Sequence, residues 1–290
     1  MTDSGVVTPG VAAPAPPGAR FVNGPVRTPR RKGVGRRLLA GIPPVVLLAS
    51  AVLVWQFYCA HYHIKPQVLP SPARVARMGW RYHNDLWANT LPTVKETLVG
   101  FSVSLVVGVV FAVLIDFFGV ARRALYPVLI ASQTLPIIAI APLIVIWFGF
   151  GLMPKVIVVA LITFFPITVS LIEGFNSTEK EAINLLRSMG AGRVRIFRIV
   201  RLPSSVPYFF AGLRIAIAYA VVGAIFGEYV GAKTGLGIYM QLQKNSFRTD
   251  LVLAAVFITA LVSVFLFATT FLIQRLTIPW YFRARRQSRQ

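Results

Sequence analysis

The chain has 290 residues, 56% of them apolar and 13% charged, with a mean hydropathy of +0.69. A soluble domain of this length carries about twice that charged fraction, so the composition predicts a protein dissolved largely in lipid. The net charge of +21 comes from basic residues that flank apolar runs instead of sharing one face, which argues against nucleic-acid binding, and the single cysteine, Cys59, excludes an internal disulfide.

In chain order, residues 1–37 are rich in Pro, Ala, Gly and Val and end in the basic clusters Arg30-Arg31-Lys32 and Arg36-Arg37. They predict a disordered cytoplasmic tail whose basic end favours anionic lipid headgroups. Six apolar runs then predict an all-α, polytopic domain over residues 38–274. The runs are Leu38–Tyr58, Val94–Phe118, Tyr126–Phe148, Val156–Phe175, Tyr208–Val230 and Leu251–Gln274. Each is long enough, at about 1.5 Å per residue, to cross a hydrocarbon core of about 30 Å. With the N-terminus inside, 20 of the 30 lysines and arginines fall in inside segments and 8 in outside ones. The positive-inside rule therefore predicts both termini in the cytoplasm, residues 275–290 forming a second basic tail there.

The outer segment 59–93 carries Val75, Met78, Tyr82 and Leu86 at near-helical spacing, predicting a short helix at the membrane interface. His61, His63 and His83 lack the spacing of a metal site and are expected to be ordinary surface residues. Ser132, Gln133 and Thr134 precede Pro136 and Pro142 in the third run, and Pro166 interrupts the fourth. Proline removes a helical donor, so these spans are expected to bend, either to line a water-filled path or simply to pack. Gln133, Thr134 and Pro136 are accordingly candidates for a translocation path. Among Lys95, Glu96, Asp116, Glu173, Arg214 and Glu228, all but Arg214 fall near span ends, which leaves the span centres without charge. Glu228, near the outer end of the fifth run, is the candidate for contact with a solute or a delivering protein.

The longest polar interruption of the C-terminal two-thirds runs from Ser177 to Pro203. Thr178 with Glu181 three residues on is the signature of a capping box. Ala182, Leu185, Leu186 and Met189 follow at i, i+3, i+4 and i+7, and Gly190 stands where the helix should stop. A second short helix through Ile196, Phe197, Ile199 and Val200 is expected to close at Leu202-Pro203. The result is a cytoplasmic helix-turn-helix knob within the loop 176–207, with an apolar face that needs a partner.

This stretch resembles the integral permease subunits of ATP-binding-cassette importers, which carry Glu-Ala-Ala, three residues, Gly, nine residues, Ile, one residue, then Leu-Pro. Gly190, Val200, Leu202 and Pro203 stand at the matching offsets, while Asn184, Leu185 and Leu186 replace Glu-Ala-Ala. The words Leu-Leu-Arg-Ser-Met-Gly-Ala and Val-Arg-Leu-Pro, and the segment Gly227–Gly237, are similar to the nitrate/sulfonate/taurine group, and most to permeases for pyrimidine precursors of thiamine. The resemblance covers roughly residues 65 to 274. It implies a type I importer bundle in a prokaryotic inner membrane. It also implies a permease homodimer, two copies of an ATPase subunit, and an extracytoplasmic substrate-binding protein. Ala182, Asn184, Leu185, Leu186, Arg187, Met189, Gly190, Ala191, Leu202 and Pro203 would then couple the bundle to the ATPase. The departure at 184–186 implies a more apolar docking face. The chain has no Gly-x-x-x-x-Gly-Lys-Ser/Thr loop, so ATP and magnesium are expected on the partner, and no cofactor on this chain. No His-Glu-x-x-His helix or Gly-x-Ser-x-Gly elbow suggests an enzyme. A secondary carrier would need charge at the span centres.

Overall fold

The computed structural model describes residues 34–278, and among them every regular element is helical. In order these are α1 (Val34–His61), α2 (Pro72–Arg81), α3 (His83–Phe117), α4 (Gly119–Ser132), α5 (Ile137–Phe148), α6 (Leu152–Asn176), α7 (Lys180–Ser188), α8 (Arg193–Ile196), α9 (Leu202–Gly231), α10 (Leu236–Asn245) and α11 (Thr249–Thr277). The expected all-helical membrane bundle is what the chain forms. The tail predicted over 1–37 lies almost wholly outside the described residues, although α1 already begins at Val34, and so does most of 275–290.

Five helical stretches are long and apolar enough to cross a membrane: Pro43–His61, His83–Phe117, Leu152–Asn176, Arg193–Gly231 and Thr249–Thr277. The remaining predicted span, Tyr126–Phe148, is divided. Gln133, Thr134 and Leu135 close tight three-residue turns onto Ile130, Ala131 and Ser132. Pro136 then takes an extended conformation (ψ 97°) before α5 starts. Proline offers no N–H and disfavours helical geometry in the residue before it, so the break falls where Leu135 meets Pro136. Neither α4 (14 residues) nor α5 (12 residues) spans about 30 Å alone, so the single crossing expected over Tyr126–Phe148 is not formed as one helix.

The centre of the bundle is α6, packed along α9 and α3. Lipid gives no hydrophobic drive between helices, so close backbone approach must supply the contact. Glycines provide it: a Cβ on Gly100 would lie 2.5 Å from Cβ of Val159, and one on Gly212 would lie 2.6 Å from the Pro166 carbonyl oxygen. Backbone cannot yield as a side-chain tip can, so Gly212→Val should separate α6 from α9. Overpacking of this kind costs about 1–3 kcal/mol or more. The expected outcome is loss of the monodisperse peak in fluorescence-detected size-exclusion chromatography of the detergent-extracted protein. An unchanged peak would contradict the α6–α9 contact.

Two apolar clusters close the ends. Ile115, Ile167, Leu171, Phe175, Phe210 and Ile278 pack at the end that carries α7 and α8. Val75, Leu86, Leu236, Tyr239, Met240 and Leu251 pack at the opposite end, where α2, α10 and the start of α11 meet. The interfacial helix predicted from Val75, Met78, Tyr82 and Leu86 is present as α2, but Leu86 already belongs to α3, beyond a bend at Tyr82. Starting at His83 and not at Val94, α3 carries Lys95 and Glu96 inside the helix instead of in its first turn.

Candidate functional site

The knob is built as two short helices on rigid supports. Its first helix, α7, is preceded by Glu179 in an extended conformation with no side-chain cap. The Thr178 hydroxyl is buried and finds no hydrogen-bond partner among the described residues, so the predicted Thr178–Glu181 capping box is not formed. Burial anchors α7 instead: Ile183 is buried, Ala182 and Leu186 are half-buried, and Asn184 and Arg187 are exposed. Leu185 and Met189 are 64% and 72% exposed, so the apolar stripe divides into an edge that holds the knob down and an edge that faces away from the bundle.

The stop at Gly190 follows the expectation. Gly190 has φ +77°, its N–H donates to the Arg187 carbonyl at 2.9 Å, and the Ala191 N–H donates to the Leu186 carbonyl at 2.9 Å. This pair of bonds is a Schellman termination, which satisfies carbonyls that the helix end would otherwise leave open. A Cβ at 190 would touch nothing within 4 Å, so the backbone conformation alone calls for glycine there.

Beyond the turn, the expected closure at Leu202-Pro203 is corrected. From α8 the chain enters a wider π-type turn over Phe197–Arg201, in which the Leu202 N–H bonds the Phe197 carbonyl, and passes directly into α9. Pro203 falls in the first turn of α9, where a missing N–H costs little, so α8 and α9 are one continuous element. Phe197 packs between Phe117 of α3 and Phe175 of α6, with ring centroids 5.1 and 5.4 Å away. Arg201 pairs with Asp116 near the end of α3. A displacement of the knob must therefore move α3, α6 and α9. Val194, Ile199 and Leu202 join Leu185 and Met189 in being exposed, and Pro203 is exposed beside them.

At the opposite end Glu228 is completely buried. Thr93 Oγ1 donates to Glu228 Oε1 at 2.6 Å, and the Gly237 N–H donates to Oε2 at 2.5 Å. The Leu236 N–H donates in turn to Thr93 Oγ1 at 2.8 Å, and the Gly235 N–H to Asn89 Oδ1 at 3.0 Å. A Cβ on either Gly235 or Gly237 would collide with the Glu228 carboxyl. Glu228 therefore clamps the end of α9 to α3 and α10, and presents no surface to a solute in this conformation. Beside it, Lys155 Nζ bonds Glu96 Oε1 at 2.5 Å, with both side chains buried. Such a pair needs its partner, because an isolated charge in this setting is costly. This bridge between α3 and α6 was missed in the sequence; an acid in one apolar run and a base beside another was the available signal. A cavity of about 720 Å³ opens beside it, lined by Lys95, Glu96, Phe150, Lys155 and Lys233.

Gln133, Thr134 and Pro136 are all exposed in the α4–α5 turn, and Thr134 Oγ1 bonds the Ala131 carbonyl at 2.7 Å. Neither they nor Glu228 line the cavity beside Glu96 and Lys155. The four path candidates thus form two separate places. His63 Nδ1 lies 3.2 Å from the His61 carbonyl and His83 Nδ1 lies 2.8 Å from the Trp80 carbonyl; the described residues contain no group of three metal-ligating side chains.

Residues 104–283 match the family described as binding-protein-dependent transport system inner membrane component. Over 246 residues the chain is 35% identical to the formylaminopyrimidine transport permease protein ThiX of Halalkalibacterium halodurans, covering 84% of this chain and 98% of the relative. It is also 35% identical to the riboflavin transport system permease protein RibX of Chloroflexus aurantiacus, covering 83% and 90%, and 27% identical to the taurine transport system permease protein TauC of Escherichia coli, covering 81% and 88%. Among solved structures, an inward-facing conformation of the MetNI methionine ABC transporter superposes with a TM-score of 0.57 at 19% identity, covering 69% of this chain and 97% of the other.

Proposed function

This chain belongs to the binding-protein-dependent inner membrane components, as a permease subunit of an ATP-binding-cassette importer, and from that premise we propose that the 178–203 knob is its coupling element. The observation that carries this is the continuous α8–α9 element, which ties an outward-facing apolar edge to α3, α6 and α9. Leu185 and Met189 would enter a cleft on the ATPase, with Ala182, Asn184, Leu186, Arg187 and Ala191 around them and Gly190 as the turn. Leu202 and Pro203 would carry the displacement into α9.

In this reading the knob faces the cytoplasm with both termini, and two permease copies assemble with two ATPase copies that hold ATP and magnesium. The cavity beside Glu96 and Lys155 then faces the extracytoplasmic binding protein. Gln133, Thr134 and Pro136 lie at mid-membrane depth on the path, since the turn separates two half-length helices.

For the cargo, a small pyrimidine precursor of thiamine is the reading favoured by the likeness to ThiX, whose name specifies a formylaminopyrimidine. RibX, whose name specifies riboflavin, is equally similar, and TauC at lower identity keeps a sulfonate as a further alternative. The test is uptake of labelled hydroxymethylpyrimidine, with taurine and nitrate as competitors, in cells with and without the gene. Uptake that disappears with the gene and resists both anions is expected. Uptake that does not depend on the gene would discard the pyrimidine.

A further inference from the structure

A second cavity, of about 250 Å³, lies behind the knob, between it and the ends of α3 and α4. Its lining is unusual for this protein. Arg187 from α7, Arg193 from α8 and Arg201 from the π-type turn converge on it, and Asp116 is the one acidic residue that lines it among the described residues. Asp116 is engaged by Arg201 through one terminal nitrogen, while Arg201 Nε is buried and has no hydrogen-bond partner among the described residues. The floor is apolar, made by Phe117, Ile196 and Phe197.

Three guanidinium groups against one carboxylate leave an excess of two positive charges in a concave site. Arg187 and Arg193 are exposed and Arg201 is half-buried, so their guanidinium groups are open to an anion in the cavity. Guanidinium forks match tetrahedral oxyanions in geometry as well as charge. The neighbouring surface is apolar: Phe118 and Val120, at the α3–α4 junction, are 60% and 82% exposed. We infer that this arginine cavity binds a phosphate-bearing anion, held between the knob and the bundle. The headgroup of an anionic lipid and a free phosphate share this chemistry, and both can reach a cavity at the membrane surface. Either would brace α7 and α8 against α3, and so modulate how firmly the knob is set.

The test uses the purified full-length chain and native mass spectrometry, titrating dioleoylphosphatidylglycerol, with inorganic phosphate as a separate arm followed by thermal unfolding in delipidated detergent. The informative variant is Arg187→Gln with Arg193→Gln, both exposed at the rim, so that the bundle core is untouched. Its control is Arg195→Gln with Arg198→Gln, which removes the same charge from knob positions outside the cavity. The first pair should weaken phosphatidylglycerol binding on the order of tenfold and the control pair should leave it within about twofold, since each basic residue near an anionic headgroup contributes a comparable share. If inorganic phosphate raises the unfolding temperature of the parent protein and not of the Arg187/Arg193 variant, the ligand is the soluble anion and the inference still holds. Equal weakening by both pairs would show diffuse surface charge in place of a site, and would overturn it. So would binding of both probes that is indifferent to Arg187 and Arg193.

Discussion

Gly190→Asp is expected to bring uptake to background while the protein still inserts and accumulates in the membrane. A side chain at φ +77° takes on the cost of the left-handed region, roughly 1 kcal/mol or more. The space around Gly190 is open, so nothing in the bundle is pushed aside. The damage is local and directional: the bonds from Gly190 to Arg187 and from Ala191 to Leu186 set the angle between α7 and α8. The new carboxylate also stands beside Met189, on the edge that would enter an apolar cleft. Asparagine tolerates this conformation and brings no charge, so Gly190→Asn should keep a measurable share of uptake. Immunodetected membrane protein and labelled-solute uptake, measured together, check the prediction. Normal uptake by the aspartate variant would remove the coupling role from the knob.

Glu228→Ala should act in the opposite way, on the protein's stability. It leaves the Gly237 N–H without an acceptor in a site closed to water, while the Thr93 hydroxyl keeps only the Asn89 carbonyl, at 3.1 Å, as its acceptor. Each buried group left unsatisfied costs about 1–3 kcal/mol, and the deleted side chain leaves a void as well. A fall of several degrees in the thermal midpoint of the detergent-solubilised protein is expected, with uptake declining in step with the folded fraction. Glu228→Gln keeps an acceptor for Gly237 and should lose less. The alternative role for Glu228, contact with the solute or its binding protein, makes a different demand: uptake would fall with the midpoint unchanged, and that result would refute the clamp.

Much of this molecule was legible in one dimension because lipid imposes a simple rule: every backbone polar group in the membrane must be satisfied within the chain. Long apolar runs with few charges therefore become helices, and five of the six predicted runs correspond to single long helices. Gly190 was legible for a related reason, since a helix stop needs a left-handed residue whatever surrounds it. Pro136 announced a break in the third run, but whether the helix would bend or divide depended on the turn formed by Gln133, Thr134 and Leu135.

Other features were decided by partners distant in the chain. Pro203 looks like a terminator, yet the π-type turn before it and the seat of Phe197 between Phe117 and Phe175 carry the helix through. Thr178 and Glu181 have the spacing of a capping box, yet α7 starts without it, with Ile183 as its buried residue. Glu228 and Glu96 resembled span-end charges. Only the approach of Thr93, Gly237 and Lys155 turns one into a clamp and the other into half of an ion pair. The sequence by itself determined the membrane class, the family, most of the spans and the position of the knob's turn, because hydropathy and glycine geometry are local. Tertiary structure alone decided which charges are buried, which edge of α7 faces outward and how the knob is joined to the bundle. Those depend on contacts between residues far apart in the chain, where spacing along the sequence carries no information about distance in space.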